Sequence, residues 1–248
     1  MNYESRLQTV VGELAREVNP VSIFTYGSYN TSDFLPGISD VEIGVVKGEE
    51  GQQITQKLVE LGNEFSSRGV ILRVYPFSLV QLQKSDVGTP HTKSVFLRLL
   101  KARGRTIYGE QIVENLIPPP ITLLDAYREA VNSTSRALDG WLFFREGLST
   151  QGLEWAYKGT LYGTRALSFL RGIFPVTFLE IYELSKELEL PIKWEEHVDA
   201  AYRIRTRKLR PNKNKSTEFI FSSITYCNQV VEPQIKAELQ ETDKVLIK

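Results

Sequence analysis

The chain has 248 residues, 42% of them hydrophobic, with Lys plus Arg and Asp plus Glu both numbering 30 for a formal net charge of +0. That suffices for one large or two modest domains with real cores, and no global basic surface points to nucleic acid as the partner. Cys227 is the only cysteine, which excludes an intrachain disulfide and a thiolate metal cluster and makes it an expected helix core residue. No apolar run of about eighteen residues and no charged-then-apolar leader at Met1 is found, so a cytoplasmic protein without a membrane span is expected.

Leu7, Val10, Val11, Leu14 and Val18 recur at helical spacing, and Asn19-Pro20 stops that helix. Val21 to Tyr26 is β-branched and aromatic and reads as a buried strand ending at Gly27. Gly27 and Ser28 make the turn: a glycine lets backbone N–H groups approach a ligand closely, and serine adds a hydroxyl donor, a pairing that suits a triphosphate. After a polar excursion through Asn30, Ser32, Pro36 and Gly37 the chain returns as Asp40-Val41-Glu42-Ile43-Gly44-Val45-Val46. Alternate strand residues share a face, so Asp40 and Glu42 point one way while Val41 and Ile43 point into the core. Two carboxylates on one face repel unless a cation lies between them, and such oxygen ligands suit Mg²⁺ bound together with a substrate phosphate.

Ile54, Leu58, Leu61 and Phe65 mark a second helix, closed by Gly69, that leads into a third strand from Val70 to Phe77. This alternation predicts a mixed α/β sheet. The third strand contains no acid; Arg73 stands near its middle, where it places positive charge close to a metal site or to nucleotide phosphates, and Glu64 and Asp86 are the nearest acids. A helix over Lys93 to Ala102 follows, and Pro118-Pro119-Pro120 reads as a stiff boundary between domains at 1–117 and 121–248.

Beyond that boundary only helices are expected, forming a bundle. Thr122 with Asp125 forms a capping box, and Tyr127, Ala130, Thr134, Leu138 and Trp141 continue one face to Phe144. Further helices are read from Ser149 to Arg171, Thr177 to Leu188, Trp194 to Leu209 and Thr217 to Ala237. Lys158, Tyr162 and Arg165 fall on one side of the helix from Ser149 to Arg171, where the two cations either clamp β and γ phosphates or form a solvated edge. The basic run from Arg203 to Lys215 reads first as favouring a helix dipole.

A hydrophobic residue, Gly-Ser, a spacer and Asp-hydrophobic-Glu-hydrophobic over Phe24 to Val46, with Ser39 before the first carboxylate, resembles the polymerase-β-like nucleotidyltransferase superfamily. Gly104-Arg105-Thr106-Ile107-Tyr108-Gly109 is a second match, and the helical region that follows looks most like aminoglycoside and minimal nucleotidyltransferases. The resemblance is specific over about the first 110 residues and only architectural beyond. It implies a nucleotidyltransferase-type mixed sheet with flanking helices, then an all-α bundle. It also implies transfer of a nucleoside monophosphate from a nucleoside triphosphate, with ATP expected, to a hydroxyl of an aminoglycoside-like small molecule held between the domains. Asp40 and Glu42 are then the catalytic metal ligands for Mg²⁺, while Gly27, Ser28, Ser39, Arg73, Lys158 and Arg165 are the nucleotide-binding set. Superfamily members usually carry a third carboxylate on the following strand, which Arg73 replaces here. The competing expectation is therefore a non-catalytic nucleotide-binding or antitoxin-like regulatory protein of the same fold. Ribonuclease chemistry of the HEPN type is not expected: no arginine precedes His197 at the needed spacing, and His91 is read as lying outside the bundle.

Overall fold

The computed structural model describes residues 3–37, 39–47, 56, 58, 60, 61, 63, 72–84, 87, 91–239 and 244–248. The chain divides into two compact units, Met1–Thr89 with Phe96–Pro119, and Pro90–Val95 with Pro120–Lys248. Ile54, Glu64, Phe65, Gly69, Val70, Ile71 and Asp86, all used in the sequence reading, lie outside the described residues.

The first unit is built on a four-stranded mixed sheet of order β3-β2-β1-β4, from β1 (Ser22–Tyr26), β2 (Val41–Lys47), β3 (Leu72–Ser78) and β4 (Arg105–Gly109). β1 pairs antiparallel with β2 and β4, and β2 pairs parallel with β3. A parallel pair needs a crossover, and Gln56, Leu58, Glu60, Leu61 and Asn63 between the two strands are helical. Pro76 is tolerated in β3 because β3 is an edge strand.

Both sheet faces are buried. Ile23, Val41, Ile43, Val45 and Leu72 pack with Leu58, Leu61 and the apolar stripe of α1 (Tyr3–Val18). On the opposite face Phe24, Val46 and Phe77 pack with Leu82 of α2 (Leu79–Gln83) and with Leu97 and Leu100 of α3 (Lys93–Arg103). Each of these side chains left in water would forgo roughly 1.5–3 kcal/mol, which is why the strands hold their register. Gly109, the last residue of the second sequence match, has φ +76° and approaches Val21 so closely that a Cβ would meet its carbonyl oxygen at 2.2 Å. Only glycine closes β4 against the start of β1 in this way.

The second unit is mainly helical, with α4 (Leu123–Arg145), α5 (Ser149–Leu170), α6 (Phe178–Ser185), α7 (Ile192–Arg205), α8 (Lys213–Tyr226) and α9 (Glu232–Ala237). The Thr122–Asp125 capping box forms as read, and Thr177 with Glu180 makes a second one at α6. Three expectations are corrected. The unit also contains a small antiparallel pair, β5 (Ile121–Thr122) with β6 (Val245–Ile247), because the C-terminal segment returns to the start of α4. The expected helix from Thr217 to Ala237 is interrupted by a π-turn over Cys227–Val231, just before Pro233, whose ring cannot follow a regular helical turn. Leu138 is exposed: the buried stripe of α4 runs instead through Ala126, Ala130, Ser133, Ala137 and Gly140. These small residues let α5 come close, since a Cβ on Gly159 would stand 2.8 Å from the Ser133 carbonyl oxygen. Cys227 is buried, as expected.

His197 of α7 is buried with its Nε2 3.1 Å from Thr160 Oγ1 and 3.2 Å from Ser223 Oγ. Burial, aided by Lys193, lowers its pKa to about 4. An unfolded chain takes up that proton below about pH 6.5, whereas the folded one resists it down to about 4. Stability from this residue is therefore full above pH 6.5 and falls by about 3 kcal/mol as pH drops to 4. Urea unfolding at pH 7, 5 and 4 should show that decline in the wild type and a shallower one in His197→Gln.

Candidate active site

The candidate site lies where β1, β2 and β3 end together. Tyr26, Glu42 and Arg73 are register partners across the three strands, so their side chains project from one face. Arg73 Nε lies 2.8 Å from Asp40 Oδ2, with 59% of the arginine side chain and 26% of the aspartate exposed. Tyr75 stands two residues along on the same face. Arg73 thus stands at the carboxylate pair, as the sequence reading required.

Gly27 opens a single 3₁₀ turn, Gly27–Asn30, directly after β1. Its φ is +72°, and a Cβ there would meet Glu42 Oε2 at 1.9 Å. Glycine therefore serves two needs at once: a left-handed backbone and room for the carboxylate against the turn. Asn30 anchors the end of the turn, donating from Nδ2 to the Thr25 carbonyl at 3.0 Å and to the Arg103 carbonyl at 2.7 Å. Asp33 adds an ion pair to Arg103 at 3.9 Å. The Ser39 hydroxyl accepts from the Leu35 N–H at 3.1 Å and so closes the loop that delivers Asp40. Ser39 shapes that loop, while Ser28 is partly exposed on the turn.

Below the carboxylates lies an aromatic group that the sequence reading did not single out. Tyr26 meets Tyr75 at 6.1 Å, Phe77 at 6.0 Å and Phe96 at 6.5 Å between ring centroids. Burial and then the negative charge of Glu42 push the Tyr26 phenol well above its usual range, so it stays protonated beside the carboxylate. Period-two alternation in β1 and β3 was the signal that could have placed these rings under the site.

Asp40 and Glu42 supply hard oxygen donors of the kind Mg²⁺ takes, and no group of three or more His, Cys, Asp or Glu among the described residues forms a self-sufficient cage. Two carboxylates alone offer a cation fewer ligands than it takes, so a cation here would need further oxygens from a ligand or water. They do not fit a cation held by protein alone.

The helical unit places the remaining candidates differently from each other. Lys158 is 30% exposed and donates to Glu154 Oε1 at 2.6 Å, one turn away. Arg165 is 1% exposed, its NH2 group 3.1 Å from Glu129 Oε2 and its guanidinium 4.6 Å above the Tyr162 ring. Its reading as a phosphate clamp meets this obstacle: the guanidinium is already sequestered by a buried carboxylate. His91 is also corrected, since it groups with the helical unit, its Nδ1 3.1 Å from the same Glu129 oxygen, while the Thr92 N–H donates to Glu129 Oε1 at 2.9 Å. Burial opposes ionisation of Glu129, but His91, Arg165 and the Thr92 N–H outweigh it and hold its pKa at about 2. Nearby, Glu180 caps α6. Among the described residues, no helix is long and apolar enough to cross a membrane.

Three substitutions check these assignments. Gly27→Ala places a methyl on Glu42 and an L-residue in a left-handed backbone, at a cost of roughly 1–2 kcal/mol, so thermal unfolding should drop by roughly 3–6 °C. Arg165→Met strands a buried carboxylate and should cost about 3–5 kcal/mol in urea unfolding, whereas Lys158→Ala should stay within about 0.5 kcal/mol.

No family model matches the chain, and no curated protein matches it in sequence. Among solved structures, its fold is similar to the crystal structure of spectinomycin adenyltransferase AAD(9) from Enterococcus faecialis with ATP and spectinomycin. The TM-score is 0.62 at 15% sequence identity, over 92% of this chain and 100% of that one. The nucleotidyltransferase-type mixed sheet followed by a helical domain, which the Phe24–Val46 and Gly104–Gly109 motifs implied, is the fold observed.

Proposed function

We propose that the chain binds a nucleoside triphosphate, ATP in the first instance, with Mg²⁺ and transfers its nucleotidyl group to a hydroxyl of an aminoglycoside-like small molecule. The observation that carries the reading is the convergence of the Gly27-Ser28 turn with Asp40 and Glu42 at one end of the sheet. It is supported by the fold shared with an adenyltransferase whose structure holds ATP and spectinomycin.

In this reading Asp40 and Glu42 would hold Mg²⁺, which supplies Lewis-acid polarisation of the phosphate when bound. Gly27 and Ser28 present backbone N–H groups and a hydroxyl to phosphate oxygens. The acceptor hydroxyl would attack the α-phosphorus, losing its proton to solvent, as the bond to pyrophosphate breaks. Arg73 and Lys158 offset the charge that develops on that leaving group. Arg165 is assigned to hold α5 against Glu129 and not to touch the nucleotide.

A second reading, a nucleotide-binding regulatory protein without turnover, is favoured by one observation: β3 carries Arg73 and no acid. Incubation with α-labelled nucleoside triphosphates, Mg²⁺ and a panel of hydroxyl acceptors separates the two. Pyrophosphate release with label on an acceptor is expected for the transferase; tight binding without release would select the regulator. Asp40→Asn with Glu42→Gln should abolish metal-dependent ATP binding in calorimetry while the unfolding temperature stays within a few degrees, because the Arg73–Asp40 ion pair that is lost is partly exposed and contributes little to stability. Lys158→Ala should weaken ATP more than AMP, which lacks the β and γ phosphates. Unchanged ATP affinity in the double variant would overturn the metal assignment.

A further inference from the structure

We infer that Arg73 is the resident counter-cation of the carboxylate pair, and that Asp40 accepts a divalent cation only together with a polyphosphate that draws the Arg73 guanidinium away. The inference rests on the nucleotide-binding reading of the same site. Its basis is the geometry of three positions. Arg73 Nε lies 2.8 Å from Asp40 Oδ2, Arg73 is the direct register partner of Glu42, and Tyr75 follows two residues along on the same strand face. A positive group therefore already stands where a cation between the two carboxylates would relieve their repulsion.

An arginine cannot give up its proton in a protein, so this cation leaves Asp40 only by moving. With 59% of its side chain exposed, Arg73 has solvent to move through. A bare divalent ion would have to displace the guanidinium and leave it without an anion. A nucleoside polyphosphate supplies that anion, because its oxygens match the planar fork of arginine in two-point contact. The Asp40 position therefore discriminates between free divalent ions, which it resists, and divalent ions that arrive with phosphate, which it takes. Arg73 acts as a positioning residue for both: it holds Asp40 before binding and steadies the polyphosphate afterwards.

The test is Mn²⁺ binding to the full chain, read from the free-Mn²⁺ resonance in electron paramagnetic spectra, with and without a non-hydrolysable ATP analogue. Wild type should bind Mn²⁺ weakly alone and much more tightly with the analogue. Arg73→Gln should bind nucleotide-free Mn²⁺ about tenfold more tightly, as expected for removal of one adjacent positive charge at a partly exposed site. It should also bind the analogue less well. Arg73→Lys keeps the charge and should leave nucleotide-free Mn²⁺ binding weak, while Arg73→Glu should tighten it further. Thermal unfolding near the wild-type temperature confirms that each variant is folded. Unchanged nucleotide-free affinity in Arg73→Gln, or wild type that binds Mn²⁺ equally well with and without the analogue, would overturn the inference. Asp40→Asn with Glu42→Gln serves as the control. If it retains analogue-dependent Mn²⁺ binding, the site reading itself falls; if it loses that binding while Arg73→Gln is silent, only the role of Arg73 falls.

Discussion

The pairing of Glu42 with Tyr26 across β1 and β2, with Gly27 turning the chain at φ +72° directly afterwards, is the constraint on which the candidate site depends. β1 and β2 are antiparallel neighbours, so the end of one strand and the start of the other lie side by side, and the turn leaving β1 crosses the first acidic position of β2. An L side chain at position 27 would strain the left-handed backbone of that turn. Register is in turn enforced by burial on both sheet faces, because a one-residue slip would turn Ile23, Ile43 and Val45 out of one core and Phe24 and Val46 out of the other. The placement of two charged groups at the strand ends is thus fixed by the apolar residues between them.

Charge is distributed in the two units by opposite rules. At the strand ends Asp40, Glu42 and Arg73 are partly exposed, and the Arg73–Asp40 pair is open to solvent. In the helical unit Glu129 and Arg165 are buried and mutually committed, with His91 and Thr92 completing the carboxylate's hydrogen bonds. Breaking such a pair leaves an uncompensated charge in a low-dielectric interior, so its value is structural. Glu129 gathers the short 90–95 segment and α5 onto α4 by this means. The small-residue faces of α4 and α5 bring the backbones close enough for one carboxylate to reach all of its partners.

Much of this was legible in the chain. Alternation placed Asp40 and Glu42 together, the glycine after a β-branched run marked the turn, and the Gly104–Gly109 segment marked the close of the sheet. These features are local: they depend on strand periodicity and on the few conformations open to glycine, both written in short stretches of sequence. The Thr122–Asp125 capping box is legible for the same reason, since its two partners are three residues apart. Sequence alone placed Arg165 beside Lys158 by helical spacing and treated them alike, although one is buried and one is not. Helical periodicity says which residues share a side, and it does not say which side another element will cover.

The amino-acid order by itself determined the first three strands, the turn, the pairing of two acids and the succession from mixed sheet to helices, because each follows from periods of 2.0 and 3.6 residues and from Gly and Pro stereochemistry. Tertiary structure alone decided that Arg73 sits on Asp40 rather than merely near it, that His91 belongs with the helical unit, and that Val245–Ile247 returns to pair with Ile121–Thr122. It also set Tyr26, Tyr75, Phe77 and Phe96 as one aromatic floor. Each of these joins residues tens to more than a hundred positions apart, and their meeting is fixed by the packing of the elements between them, which no local pattern encodes.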